Sequence, residues 1–246
     1  MKRVLFIIPL LGLVTALKAQ EKTQKPAGLP HPYSVKWNPE SLYFGKLALS
    51  GEYNYKKKKS IAFAIGIPME YKQTVQIDKK DRVLAMKTFS IMGGYRMYMG
   101  KKTMTGFYFE PYVKYVKNDA TGSFSATLGG SPVVFDAVSK YSGIGVGAQL
   151  GVQFRIAQRV VFDLFILGPE ANSANHELVL HDIVSPLPWN SAQSADAQQQ
   201  MDDFTKLPIL GSHMKVTKDD NARTISSKYN GFLPGFRFGL SVGISF

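Results

Sequence analysis

The chain has 246 residues, with 30 Lys and Arg against 18 Asp and Glu and a formal net charge of +12. It contains no cysteine, which excludes disulfides, thiolate metal sites and a lipid-modified N-terminal cysteine. Strong basicity often accompanies nucleic-acid binding, but no basic helix or RNA-binding motif is present and many lysines lie in predicted turns. We therefore expect no nucleic-acid partner.

The first 19 residues predict a signal peptide. Lys2 and Arg3 precede an apolar run from Val4 to Leu17, which is too short to cross a bilayer as a helix, since about 20 residues are needed. A retained N-terminal anchor is the alternative. We expect export to the cell outer membrane, a periplasmic linker at residues 20–32 and one domain at residues 33–246.

Tight polar connections organise the rest of the chain into hairpins. After residue 19 no apolar run is long enough for a membrane helix, so membrane residence would have to come from alternating strands. Short turns at residues 56–59, 100–103 and 157–159 are flanked by segments with a period of two. These segments predict six strands, at residues 44–55, 60–71, 89–98, 107–115, 143–155 and 160–169.

The last twelve or so residues predict a further strand that ends on an aromatic residue. From Gly235 to Phe246, bulky apolar side chains alternate with small and polar ones, as in the final strand of an outer-membrane barrel. We expect the barrel-assembly machinery to recognise Phe246 and outer-membrane lipids to contact the apolar face.

An even strand count requires an eighth strand, because both ends of such barrels lie on the periplasmic side. Tyr33 to Glu40 is the candidate, with Val35 and Trp37 outward. The prediction is an all-β, eight-stranded, antiparallel up-and-down transmembrane barrel. A soluble lipocalin-like barrel with an apolar interior is the alternative, because alternation alone does not say which face is inside.

Several motifs resemble a family of small, uncharacterised bacterial outer-membrane β-barrels. They are an Asn38-Pro39 segment, GKLALSGEY from Gly45 to Tyr53, a basic hairpin turn, DLFILGP from Asp163 to Pro169, and the closing LPGFRFGLSVGISF. The resemblance covers most of the chain except residues 171–230. It implies an eight-stranded membrane barrel and supplies no catalytic residue.

Charged residues on the predicted inner face are nearly balanced in sign. An eight-stranded barrel is only wide enough for side chains to fill it, and buried charges are tolerated when they are paired. We therefore expect an ion-paired lumen, with a narrow selective pore as the alternative. The set comprises Lys46, Glu52, Glu70, Arg96, Glu110, Lys114, Arg155, Asp163 and Arg237.

The sequence predicts no catalytic, cofactor-binding or metal-binding residue. His31 lies in the linker, and His176, His181 and His213 lie in the last long connection. A separation of five between His176 and His181 is not a recognised ligand spacing. A non-enzymatic protein is expected, with a lipid-modifying barrel enzyme as the alternative.

The predicted extracellular loop, residues 170–230, is the longest connection. Other long connections are predicted on the same side, at residues 72–82 and 118–137. Ser191 to Phe204 predicts a short helix with Met201 on its apolar face, and Trp189 supplies apolar material. Loops of this length are uncommon unless functional or disordered. The sequence leaves open an ordered lid or a mobile loop; an extracellular partner, or a role in envelope integrity, would involve this loop.

Overall fold

The computed structural model describes residues 31–77, 80–100, 102–206 and 211–246. The predicted signal peptide and most of the predicted linker lie outside these residues. A 15-residue helix, α1 (Ser191–Thr205), and two 3-10 helices, Pro39–Phe44 and Gly211–His213, accompany the strands. The strands are β1 (Tyr33–Asn38), β2 (Lys46–Lys56), β3 (Lys59–Pro68), β4 (Tyr71–Ile77), β5 (Lys80–Tyr98), β6 (Gly106–Leu128), β7 (Ser131–Ile156), β8 (Val160–Asp182), β9 (Met214–Asp219) and β10 (Thr224–Ser245).

Eight of these strands close into an antiparallel up-and-down barrel in the order β1-β2-β3-β5-β6-β7-β8-β10, and the ring closes where β10 pairs with β1. β4 and β9 lie outside the ring, paired with β5 and β10. The predicted fold class is confirmed. So is the eighth strand, because β1 pairs with β2 on one side and with β10 on the other.

Apolar side chains face outward and polar side chains face the lumen. Ile61, Ile144 and Phe238 are 54%, 59% and 67% exposed, whereas Arg96 and Glu110 are 4% and 0% exposed. A soluble barrel with an apolar interior would show the inverse, so that alternative is wrong. In the described part of the chain, no helix is both long enough and apolar enough to span a bilayer.

The strands continue well past the ends that the alternation predicts. The connection predicted at residues 118–137 is a hairpin, in which Gly129 and Gly130, with φ of 53° and 78°, form the turn between β6 and β7. Most of 72–82 belongs to β4 and β5. The predicted loop 170–230 shortens to 183–223, because β8 reaches Asp182 and β10 begins at Thr224. The outward apolar residues, from Phe107 to Tyr115 on β6 and from Ile144 to Phe154 on β7, form what we call the apolar band. Beyond this band the outer face is mostly polar, so the alternation fades although backbone pairing continues.

Two of the three predicted tight turns have the predicted bounds, and the third is longer. β2 and β3 meet at Lys56–Lys59, and β7 and β8 are joined at residues 157–159. Ala157 and Gln158 adopt φ of 48° and 60° as the central residues of a turn that Arg159 N closes by donating to Ile156 O at 3.1 Å. Asn or Gly is the usual choice for this left-handed geometry. The β5–β6 connection spans residues 99–105.

Candidate functional site

Two cations and three carboxylates fill the lumen near the tight-turn end. Lys36 Nζ donates to Glu52 at 3.0 Å and to Asp163 at 2.7 Å. Arg96 donates to Glu52 at 3.1 Å, to Asp163 at 2.7 Å and to Glu110 at 2.7 and 2.8 Å. All five side chains are buried. Each carboxylate therefore has at least one cationic partner, as buried charge requires.

Neutral side chains complete this ion-pair layer. Tyr98 and Ser60 both donate to Glu52 at 2.6 Å, and Tyr108 donates to Asp163 at 2.6 Å. Gln149 donates to Glu110 at 2.9 Å, while Gln153 accepts from Lys36 and Arg96 at 2.9 Å. The cavity left inside the layer is about 20 Å³, which is room for a single water molecule rather than a channel.

The predicted set of lumen charges needs three changes. Lys36, which is the lysine of the layer, is absent from the predicted set, although the outward prediction for its neighbours Val35 and Trp37 implies that it faces inward. Glu170 was assigned to a loop but lies on β8 and pairs with Lys114 inside the barrel. Glu70 was placed inside, but it lies at the outer rim, paired with exposed Lys72 and Lys87, because β3 ends at Pro68.

A wider cavity of about 580 Å³ lies between the ion-pair layer and the outer end of the barrel. We call it the vestibule. Three cations, Lys46, Lys114 and Arg237, line it together with one carboxylate, Glu40. Its apolar lining includes Tyr43, Phe44, Ile65, Ile91, Phe165, Phe236 and Phe238.

The barrel wall beside the vestibule is incomplete. β10 pairs with β1 only from Val242 to Ser245 and with β9 only from Thr224 to Tyr229. On that side, residues 230–241 of β10 have no strand partner within the described ranges. The 3-10 helix Pro39–Phe44 occupies part of this wall gap, and Leu240 N donates to Glu40 at 3.3 Å across it.

The segment between β8 and β10 folds into a cap over the outer end. Asn190 and Gln193 hydrogen bond reciprocally at the start of α1, at 2.9 and 3.1 Å, as in a capping box. The helix begins at Ser191, as the sequence predicts, and ends one residue later than predicted, with Asn190 as its capping residue. α1 and the residues before it pack over a core of Leu128, Val133, Phe135, Trp189 and Ala197.

A buried polar cluster fixes the cap to the barrel. Asp182 accepts from Trp189 Nε1 at 3.0 Å and forms an ion pair with Arg223. Burial by itself raises the pKa of Asp182, but the hydrogen bonds from Trp189, Val184 N and Arg223 outweigh it and leave the pKa below its ordinary value. The segment that follows β8 therefore makes defined contacts with the barrel.

A row of charges crosses the outer face of the sheet where the apolar band ends. Cross-strand pairing aligns one charged residue from each of six adjacent strands. The charges alternate in sign except for the last two, which are both positive. In strand order they are Lys87, Asp119, Lys140, Glu177, Lys228 and Lys215. We call it the charge ladder. A cavity of about 660 Å³ lies against it, and Glu177 and Lys228 form an ion pair at 3.0 Å.

His176 and His213 line the cavity against the charge ladder, whereas His31 lies near Arg155 and Arg159 at the tight-turn end. His176 and His181 lie on opposite faces of β8, because an odd separation reverses the face along a strand. His176 Nε2 lies 2.9 Å from Ser139 Oγ, a nucleophile-to-base contact, but within the described residues no carboxylate orients the His176 ring. No group of three potential metal ligands occurs among the described residues.

Comparison with known proteins gives a likeness of fold to a solved structure and no match of sequence. No family model matches this chain, and no curated protein is significantly similar to it. Its fold is similar to the crystal structure of CarO from Acinetobacter baumannii, with 11% identity and a TM-score of 0.47, over 90% of this chain and 100% of that one. Similarity at this level says nothing about function, and membership of the small-barrel family stays a prediction.

Proposed function

We propose that this protein is an integral outer-membrane β-barrel with a closed lumen, and that its cap serves binding or envelope integrity at the outer surface. The observation that carries the membrane part is the apolar band. On β6 it runs from Phe107 to Tyr115 and on β7 from Ile144 to Phe154, close to the length of about nine to eleven residues that a strand needs to cross a bilayer.

Both edges of the band support a position across a bilayer. At the tight-turn end, Tyr33 stacks on Tyr53 and Phe246 at centroid distances of 5.0 and 6.0 Å, which resembles an aromatic girdle at an interface. At the other end the band stops at the charge ladder, whose lysines are suited to phosphate groups of the outer leaflet. The cap then lies outside the membrane.

The ion-pair layer supports the closed lumen. Hydrogen-bonded ion pairs join two cations and three carboxylates over the full width of the barrel, and the cavity that remains among them has a volume of about 20 Å³. A selective pore would more naturally show an excess of one sign along an open path. We infer that the layer stabilises the barrel and blocks ion flow.

Three measurements test the proposal. Folded barrel should migrate faster than heated protein on a gel, should insert into lipid vesicles, and should give no steady conductance in planar bilayers. Protease added to intact cells should cut in the outer connections, such as residues 183–223, and not in the tight turns at residues 56–59 and 157–159. Steady single-channel current would refute the closed lumen, and failure to enter vesicles in any folded form would refute the membrane assignment.

The lipid-modifying enzyme is a second candidate because of the contact between Ser139 and His176. Acyl-transfer triads use a carboxylate to hold the base, and no described residue supplies one to His176. Ser139→Ala tests it directly. Identical mass spectra of lipid A from cells with wild-type protein, with Ser139→Ala and with no protein would eliminate lipid A modification.

A further inference from the structure

Two cations in the vestibule lack a carboxylate partner. Lys46 Nζ donates to Ser90 Oγ at 3.3 Å, and the guanidinium of Arg237 contacts the sulfur of Met92 and lies 4.6 Å from the ring centroid of Phe165. Neither side chain has a carboxylate oxygen within 4.0 Å among the described residues. Positive charge in a partly apolar cavity is unfavourable unless an anion or water compensates it.

The other charges of the vestibule do not cancel this excess. Lys114 is already paired with Glu170. Glu40 accepts from Leu240 N through Oε1, and its Oε2 is buried without a hydrogen-bond partner. When Glu170 is counted with the residues that line the cavity, the cations Lys46, Lys114 and Arg237 face the carboxylates of Glu40 and Glu170. The cavity therefore retains an excess of one positive charge beside one unsatisfied carboxylate oxygen.

The vestibule opens sideways at the level of the apolar band. The wall gap between β10 and the 3-10 helix Pro39–Phe44 is bordered by exposed aromatic side chains on both sides, Phe236 and Phe238 on β10 and Tyr43 and Phe44 on the helix. A volume of about 580 Å³ falls within the usual range for small-molecule sites, roughly 300–1,000 Å³. Cationic groups inside and an aromatic mouth facing lipid suit a ligand with one charged end and one apolar end.

We propose that the vestibule binds a single-chain anionic amphiphile. Its carboxylate or phosphate head lies between Lys46 and Arg237, and its hydrocarbon tail leaves through the wall gap into the outer leaflet. This inference rests on the proposed membrane position, because only a lipid environment would accept the tail. It assigns the barrel a lateral lipid-binding site that is separate from the ion-pair layer and from the cap.

Native mass spectrometry of the folded barrel released from detergent tests the proposal. The probes are dodecyl phosphate and dodecanoate, with dodecyltrimethylammonium, dodecanol and inorganic phosphate for comparison. We expect one retained equivalent of either anionic amphiphile and none of the three comparison compounds. The two anionic arms distinguish a phosphate-selective site from a carboxylate-selective one.

Variants separate the head site from general affinity for detergent-like chains. Lys46→Gln with Arg237→Gln should weaken retention about tenfold or more, because each removed cation costs a charge-assisted hydrogen bond. The matched control, Lys72→Gln with Arg159→Gln, removes the same residue types outside the vestibule. Ala48→Leu fills the cavity without changing charge and should also weaken retention.

Equal retention of dodecanol, or unchanged retention in the Lys46 and Arg237 double variant, would overturn the proposal. So would equal binding of inorganic phosphate, because the site would then not use a tail. Every variant is first checked for the folded gel band and for insertion into vesicles. Failure of all proteins in those two checks would count against the membrane assignment, whereas normal insertion with no selective retention counts against the lipid site alone.

Discussion

Replacing Arg96 with methionine should destabilise the barrel strongly, because this residue joins all three carboxylates of the ion-pair layer. Its guanidinium bonds to Glu52, Glu110 and Asp163 at distances from 2.7 to 3.1 Å and is 4% exposed. Methionine keeps the length of the side chain and removes the charge. Glu52 and Asp163 would retain Lys36, but Glu110 would lose the one cationic partner that it has among the described residues.

The expected loss is about 3–5 kcal/mol of unfolding free energy, the usual cost of removing one member of a buried ion pair. Most of this cost is the burial of an unpaired Glu110 carboxylate, whose Oε1 already lacks a hydrogen-bond partner. Adding Glu110→Gln removes that charge and preserves the contact with Gln149. The double variant should therefore lose less than the sum of the two single variants, by roughly 1–3 kcal/mol.

The measurement is equilibrium unfolding by urea in lipid vesicles, read from the folded and unfolded gel bands. Lys58→Gln, in the exposed tight turn between β2 and β3, is the matched control and should stay within about 0.5 kcal/mol of wild type. An Arg96→Met protein as stable as this control would refute the layer as a stabilising element. Strict additivity in the double variant would refute the reasoning about Glu110.

Three further predictions address the cap, a backbone position and the apolar band. The pKa of Asp182 in the folded protein lies below its ordinary value of 3.8. Its contribution to the stability of the cap is therefore present above that value and is lost as pH falls through the folded pKa. Cutting of residues 183–223 by an acid-active protease should rise below about pH 4, whereas Asp182→Asn should be cut readily with little change over that range. Gly45→Ala should lower the refolding yield, because φ is 65° and a Cβ atom would lie 2.2 Å from the Met86 carbonyl oxygen. Gly51→Ala, with nothing within 4 Å of its Cβ, should refold normally. Equal refolding yields of the two variants would contradict backbone strain at Gly45. Leu150→Arg should lower the unfolding free energy in vesicles by about 2–4 kcal/mol, because it places a cation in the apolar band. Val138→Arg, on the same face of β7 beyond the charge ladder, should leave the unfolding free energy nearly unchanged. Equal losses in the two variants would argue against the membrane position.

The sequence alone determines the barrel, because the alternation of side chains is a local property of each strand. Period-two segments and short polar turns predict which residues face outward, and parity predicts that β1 exists. The same alternation places Glu52, Arg96 and Asp163 on the inner face. The sequence therefore predicts which charged residues face the lumen, although it does not predict which of them pair with each other.

Only the tertiary structure decides what lies beyond the local pattern. Lys36 meets Asp163, 127 positions away, and the charge ladder needs the register of six strands; neither follows from any single segment. The outer extensions of β6 and β7 place apolar residues such as Phe124 and Phe135 on the inner face, under the cap, which is the reverse of the alternation in the apolar band, so pairing with neighbouring strands is what reveals them. The wall gap exists because β1 stops at Asn38 while β10 continues, a mismatch in length that becomes visible when the barrel closes.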